Sequence, residues 1–142
     1  MTAIDRDRAR AAFKSYTDAY DATNPRIALK IEHTYHVAEA CDAVAREQGW
    51  SSEDIDLAWL CGLLHDMGKC KEEFAQYLEA AAEGGEAVRG SVNHTFAGVR
   101  FLLRQWHGPG EELGYAEVAA ELLAFAVGSH HGLFDCIDSR QS

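Results

Sequence analysis

Histidine and aspartate residues at helical spacing carry the strongest chemical signal in this sequence. They form two separate histidines and two adjacent doublets: His33, His94, His65-Asp66 and His130-His131. Imidazole nitrogens and carboxylate oxygens are ligands that first-row divalent metals accept. A carboxylate can bridge two such ions, which together activate water and stabilise a phosphoryl leaving group. The pattern therefore predicts one or two divalent transition-metal ions, with Mn, Fe, Co, Ni and Zn all compatible, and phosphoester hydrolysis as the chemistry.

The elements that must position these residues are helices. Apolar residues recur at three- and four-residue spacing, and strand-like alternation of β-branched residues is nearly absent. We expect an all-α, single-domain helical bundle of about six helices, over approximately 4–20, 26–48, 51–67, 71–82, 93–106 and 116–129. Ser51 with Asp54 resembles a capping box at the start of the third helix, and Gly68 is expected to end it.

Several predicted helices place a candidate ligand on an apolar face. His33 lies on such a face of the second helix and is expected to point inward, and the third and sixth helices lead to Asp66 and His130. The apolar residues are Val37, Cys41 and Val44 on the second helix, Ile55, Ala58, Trp59, Gly62 and Leu63 on the third, and Ala119, Leu122, Leu123, Ala126 and Val127 on the sixth. A single inward histidine is commonly a core residue bonded to a carbonyl, whereas the complete set favours a metal. Burying an unpaired carboxylate costs several kcal/mol, so Asp66 requires a cation or hydrogen-bond donors.

Composition limits the classes of function. The chain has 142 residues, of which 47% are hydrophobic and 25% are charged, as expected of one globular domain spanning 1–142. No apolar run approaches the roughly 20 residues of a transmembrane helix, and the first residues lack a signal-peptide core, so we expect a cytoplasmic protein without a membrane partner. The net charge of -10 has the wrong sign for a domain that grips nucleic acid by itself. Nucleic-acid chemistry would need metal ions or a basic partner surface.

The ordered set of histidines and aspartate resembles that of the HD-domain metal-dependent phosphohydrolases and extends over most of the chain. Within this superfamily, LAWLCGLLHDMGKCKEEFAQYL, NHTFAGVRFLL and HHGLFD resemble the HD nuclease domain of the CRISPR-associated type I helicase-nuclease. The resemblance implies an HD-type bundle and single-stranded DNA as the substrate. It also implies a helicase domain or subunit of a CRISPR interference complex as the partner.

The same resemblance implies a division of the ligands between two ions. One ion would be held by His33, His65 and Asp66. The second would be held by Asp66, His94, His130 and His131. Family members carry a further Asp on a later helix, so the chain is expected to be C-terminally truncated relative to the family. Asp135 and Asp138 follow the last doublet too closely to replace that ligand, and we expect the first position to bind its ion weakly.

Other polar residues near these motifs have weaker assignments. Lys69 follows His65 by four residues and is a candidate catalytic residue that contacts the scissile phosphate, the alternative being a solvated lysine. His36 lies one turn after His33 and is either a surface residue or a hydrogen-bond partner of a ligand. His107 precedes a Gly-Pro turn and is excluded from the site.

Two further functions remain open. The acidic composition favours a phosphohydrolase that acts on a nucleotide or a cyclic dinucleotide. The missing last aspartate allows a metal-binding helical module without turnover. The segments EFAQYL and HHGLFD favour the nuclease.

Overall fold

A computed structural model describes residues 4–82, 96–107 and 114–130, and within these ranges all regular secondary structure is helical. The six α-helices are α1 Arg6–Thr17, α2 Pro25–Glu47, α3 Ser52–Leu64, α4 Glu72–Ala82, α5 Phe96–Trp106 and α6 Tyr115–Ser129. A 3-10 helix, Met67–Cys70, lies between α3 and α4. The expected all-α fold is confirmed. None of the helices in the described ranges is long and apolar enough to cross a membrane.

Local sequence signals set most helix ends. Ser51 caps α3, because its hydroxyl accepts a hydrogen bond from the Asp54 amide at 3.2 Å. Gly49 follows α2 with a φ of 70°, a left-handed conformation that glycine adopts without strain. The prediction that the third helix continues to residue 67 is wrong, because α3 ends at Leu64. Asp66 has φ -113° and ψ 19°, which breaks the helical hydrogen-bond pattern and starts the 3-10 turn.

Two close approaches between helices hold the core together. Helix α2 packs mainly against α3, and α5 packs mainly against α6. Gly62 faces α2 so closely that an added Cβ would lie 2.8 Å from the Ala38 Cα. An added Cβ on Gly98 would overlap the carbonyl oxygen of Leu64. The buried core, to which α1 and the 3-10 helix also contribute, consists of Phe13, Ala38, Trp59, Leu60, Leu63, Leu64, Met67, Cys70, Leu102, Ala124 and Val127.

Two of the predicted apolar faces are displaced from the faces that are buried. From residue 33 onward, the buried positions on α2 are Thr34, Ala38, Asp42 and Ala45, one residue after the predicted stripe, and Val44 is 60% exposed. On α6 the buried residues include Ala120, Ala124 and Val127, whereas Leu122 is 66% exposed. Closely packed helices bury small side chains at their contacts, so the larger apolar residues lie to one side.

Helix α1 is attached to α2 and α3 by charged contacts around a buried tryptophan. The Arg6 guanidinium bonds both Asp42 and Asp56 at 2.6 Å. Arg6 and Arg10 each lie 5.1 Å from the centre of the Trp59 ring, within the range of cation–π attraction. Asp42 thus occupies a buried position because it is paired, which sequence periodicity alone did not reveal.

We expect Asp42→Asn to lower the free energy of unfolding at neutral pH and to have a smaller effect in acid. Hydrogen bonds from Arg46 and Arg6 hold the pKa of the Asp42 carboxyl below its ordinary value of about 3.9. A lowered native pKa contributes stability that is present above the unfolded pKa and is lost as the pH falls through the native pKa. Urea denaturation of both proteins at about pH 7 and about pH 3 measures the difference. An equal difference at both pH values would contradict this account.

Candidate metal centre

Three helices bring the four described candidate ligands together beside the 3-10 turn. His65 is the C-cap residue of α3, and Asp66 follows it. His130 is the C-cap residue of α6. His33 lies within α2. The carboxyl ends of α3 and α6 therefore meet at Asp66, and α2 supplies the third imidazole.

The Asp66 carboxylate is the centre of this group, with only 6% of its side chain exposed. Its Oδ2 atom lies 3.4 Å from His65 Nε2, 3.9 Å from His33 Nε2 and 2.7 Å from Lys69 Nζ. Its Oδ1 atom lies 3.1 Å from His130 Nε2. We call these five residues the His–Asp cluster. Both carboxylate oxygens are thus engaged, each with a different histidine of a helix end.

Backbone carbonyls fix the orientation of two imidazole rings. His65 Nδ1 lies 2.6 Å from the Gly62 carbonyl oxygen, and His130 Nδ1 lies 2.6 Å from that of Val127. A carbonyl oxygen only accepts, so each Nδ1 carries the hydrogen and donates it. In the neutral rings the Nε2 lone pairs then face the acceptor oxygens of Asp66. A cation, either a proton or a metal ion, is needed between an Nε2 lone pair and a carboxylate oxygen. Histidines that bind metals usually donate their other ring N–H to a carbonyl or a carboxylate, as His65 and His130 do here.

The distances within the cluster suit a divalent transition metal. Candidate ligand atoms of His33, His65 and Asp66 all lie within 4.8 Å of one another. Two atoms bound to one ion at about 2.0–2.2 Å can be at most about 4.4 Å apart. The separations of 3.4 and 3.9 Å from Asp66 meet this limit. The residues fit a metal ion, and they are the three that the resemblance assigned to the first position.

The charges in the cluster favour an ionised aspartate. Burial alone would raise the pKa of the Asp66 carboxyl, but hydrogen bonds from the neighbouring histidines and lysine outweigh burial and hold that pKa well below its usual range. The hydrogen bond to Asp66 raises the pKa of His130. Burial and the nearby His65 lower the pKa of His33, which favours its neutral form. An ionised carboxylate beside a neutral imidazole is the state in which both can bind a metal.

The exposure of Lys69 and of His33 tests what the sequence predicted for each residue. Lys69 is not a solvated lysine, because only 14% of its side chain is exposed and its ammonium group donates to Asp66. His33 does not point into the core: 47% of its side chain is exposed, and it lies at the rim of the cluster. His36 is exposed, with its Nε2 atom 3.8 Å from Glu32.

Of the other candidates, the structure describes only His107. His107 bonds Glu121 at 2.9 Å and is not one of the residues around Asp66. His94, His131, Asp135 and Asp138 lie outside the described residues.

One cation beside the cluster was missed by the sequence analysis. Lys30 precedes His33 by three residues on α2, and its ammonium group lies 6.0 Å from the centre of the Phe74 ring. The Lys69 ammonium lies 5.9 Å from the same ring. Residues three apart share a helix face, so the spacing of Lys30 and His33 was a signal that could have identified this lysine.

Comparison with known proteins identifies the family. A family model described as HD domain matches residues 31–141, which include every predicted metal ligand. Comparisons with curated proteins and with solved structures give no match. Because the matched segment covers most of the chain and contains the observed histidine–aspartate arrangement, the protein belongs to the HD-domain family.

Proposed function

We propose that the chain is a metal-dependent phosphodiesterase that cuts single-stranded DNA. The observation that carries the hydrolytic part is the His–Asp cluster, in which a buried carboxylate faces imidazoles whose orientation is fixed by carbonyls. HD domains are generally metal-dependent hydrolases, and the donor set of this chain fits such an ion. The cluster thus has the parts that phosphodiester hydrolysis requires.

Each residue of the cluster has a definite role in this proposal. A bound divalent ion would supply Lewis acidity and lower the pKa of a water molecule. His33, His65 and Asp66 would hold that ion, and His130 would fix the second oxygen of Asp66. Lys69 would balance negative charge on the scissile phosphate, and its ammonium group lies beside the carboxylate that would hold the ion.

Support for the DNA substrate comes from the resemblance of three sequence segments to the CRISPR-associated HD nucleases. The net charge of -10 agrees with a module that relies on a partner for its basic surface. We therefore propose a helicase domain or subunit of a CRISPR interference complex as the partner, which would deliver the single strand to the cluster.

A second candidate is hydrolysis of a nucleotide or cyclic dinucleotide. The same net charge favours it, because a small substrate needs no extended basic groove. It would use the same cluster, so the two candidates differ in substrate and share their chemistry.

A metal and substrate screen tests the proposal. The chain is freed of metal with a chelator, dialysed and assayed with Mn, Fe, Co, Ni and Zn on single-stranded DNA, a cyclic dinucleotide, a mononucleotide and bis(p-nitrophenyl) phosphate. We expect cleavage of single-stranded DNA that the chelator abolishes and added metal restores. Turnover of the small nucleotides alone would favour the second candidate. Metal binding without turnover of any substrate would refute both and leave a metal-binding module.

A further inference from the structure

A second lysine lies beside the cluster without a role in holding it together. Lys30 is half-buried on α2, one turn before His33. The Lys30 ammonium group lies 6.0 Å from the centre of the Phe74 ring, and the Lys69 ammonium group lies 5.9 Å from the same centre. The positive charge of Lys30 is also close enough to His33 to contribute to lowering the pKa of that imidazole. The two lysines therefore concentrate positive charge at one side of the cluster.

Lys30 forms no ion pair with any described residue, which is also true of Arg8, Lys71, Arg100 and Arg104 within the described ranges. Six other described cations each have a carboxylate within 4.0 Å: Arg6, Arg10, Lys14, Arg26, Arg46 and Lys69. The cation–π contact with Phe74 is worth only about 0.5–2 kcal/mol and leaves the three N–H donors of the ammonium able to bind an anion. An ammonium with spare donors, next to a site for phosphate chemistry, suits a phosphate ligand.

We propose that Lys30 binds a non-scissile phosphate of the substrate, while the cluster and Lys69 hold the scissile one. This inference rests on the proposed phosphodiesterase function and specifies its substrate as one with a second phosphate next to the bond that is cut. A nucleic-acid strand provides that phosphate in its next linkage, and a cyclic dinucleotide provides it across the ring. A substrate with a single phosphodiester group provides none.

The salt dependence of DNA binding tests this role directly. Binding of a fluorescein-labelled phosphorothioate oligo-dT, which keeps its charge and resists cleavage, is measured by anisotropy with Mn present over a series of salt concentrations. Each phosphate contact with a single strand adds about 0.7 to the slope of log affinity against log salt. Lys30→Ala should weaken binding roughly five- to tenfold at low salt and reduce the slope by about 0.7. Lys30→Arg should restore the slope.

Arg8→Ala is the matched control for the loss of one positive charge. Arg8 is an exposed residue of α1 that lines a cavity with Leu57 and Trp106, and no cluster residue lines that cavity. Its removal should leave the slope unchanged. Equal slopes for wild type and Lys30→Ala, or equal reductions in the Lys30→Ala and Arg8→Ala proteins, would overturn the proposal.

Hydrolysis assays separate this inference from the proposed function. The ratio of kcat/KM for an oligonucleotide to kcat/KM for bis(p-nitrophenyl) phosphate should fall about tenfold in Lys30→Ala and keep its wild-type value in Arg8→Ala. The ratio of kcat/KM for a cyclic dinucleotide to kcat/KM for bis(p-nitrophenyl) phosphate is measured in the same proteins. It shows whether the second phosphate is that of a nucleic-acid strand or that of a cyclic dinucleotide. A wild type that hydrolyses nothing, with a slope that Lys30→Ala still reduces by about 0.7, would refute the proposed function and support phosphate binding by Lys30. A wild type that cleaves the oligonucleotide, together with a Lys30→Ala protein that keeps the wild-type slope and the wild-type kcat/KM ratio, would refute the role of Lys30 alone.

Discussion

Asp66→Asn should abolish stoichiometric metal binding and lower phosphodiester hydrolysis by roughly a thousandfold or more. Asparagine keeps the size of the side chain but removes the negative charge that faces three imidazoles and an ammonium group. Among the cluster residues in the described structure, only Asp66 carries a carboxylate. Elemental analysis of metal-loaded protein, together with initial rates on single-stranded DNA and on bis(p-nitrophenyl) phosphate, measures both effects.

His107→Ala is the control for the loss of a polar side chain outside the cluster. His107 pairs with Glu121 on the surface, so both metal content and rate should stay at wild-type values. Circular dichroism must show that Asp66→Asn remains folded, because the substitution also removes the partner of Lys69. A folded Asp66→Asn protein that keeps its metal and its rate would refute the assignment of this cluster as the active site.

Gly98→Ala should cause the largest loss of stability, about 3 kcal/mol or more, which corresponds to a fall in Tm of roughly 10 °C. An added Cβ would overlap the Leu64 carbonyl oxygen and lie 2.9 Å from Cγ1 of Val127. Neither neighbour can move freely, because one is backbone at the end of α3 and the other is a fully buried side chain. Helix α5 would have to move away from both α3 and α6.

Gly114→Ala provides the comparison for Gly98→Ala. At Gly114 the nearest atom to an added Cβ is Oε2 of Glu117, the end of a flexible side chain that can turn aside. Thermal unfolding of the two variants should show a fall in Tm only for Gly98→Ala. Because Leu64 directly precedes the His65-Asp66 doublet, Gly98→Ala should also weaken metal binding. A Tm of Gly98→Ala within a few degrees of wild type would contradict this prediction, because it would show that the helices separate without a loss of stability.

The sequence predicted the helices well because their ends depend on local chemistry. Ser51 caps α3 as expected, and Pro25 lies at the start of α2, close to the predicted boundary. The buried faces were harder to predict. Periodicity weights large apolar residues, whereas the contact between α2 and α3 is made where Ala38 meets Gly62, and the larger Val44 remains exposed.

For the candidate site, residue types were predictable and their arrangement was not. The chemistry of histidine and aspartate identified candidate ligands, and the structure brings four of them together, His33, His65, Asp66 and His130. The end of α3 at Leu64 could not be inferred, because it follows from the backbone geometry of Asp66. The carbonyl partners of the two imidazoles are also backbone groups, which side-chain patterns do not reveal.

The position of the cluster at the carboxyl ends of α3 and α6 sets an order of events. Each helix end carries a partial negative charge of about half an elementary charge, and the Asp66 carboxylate adds a full one. Lys30 and Lys69 attract a phosphate at one side of the cluster, but at Asp66 itself this negative charge repels the phosphate oxygens and attracts a cation. Productive encounters are therefore sequential, with substrate binding after the cation. Substrate affinity should accordingly rise with metal concentration and saturate with it, while metal affinity should gain from the substrate by the same factor.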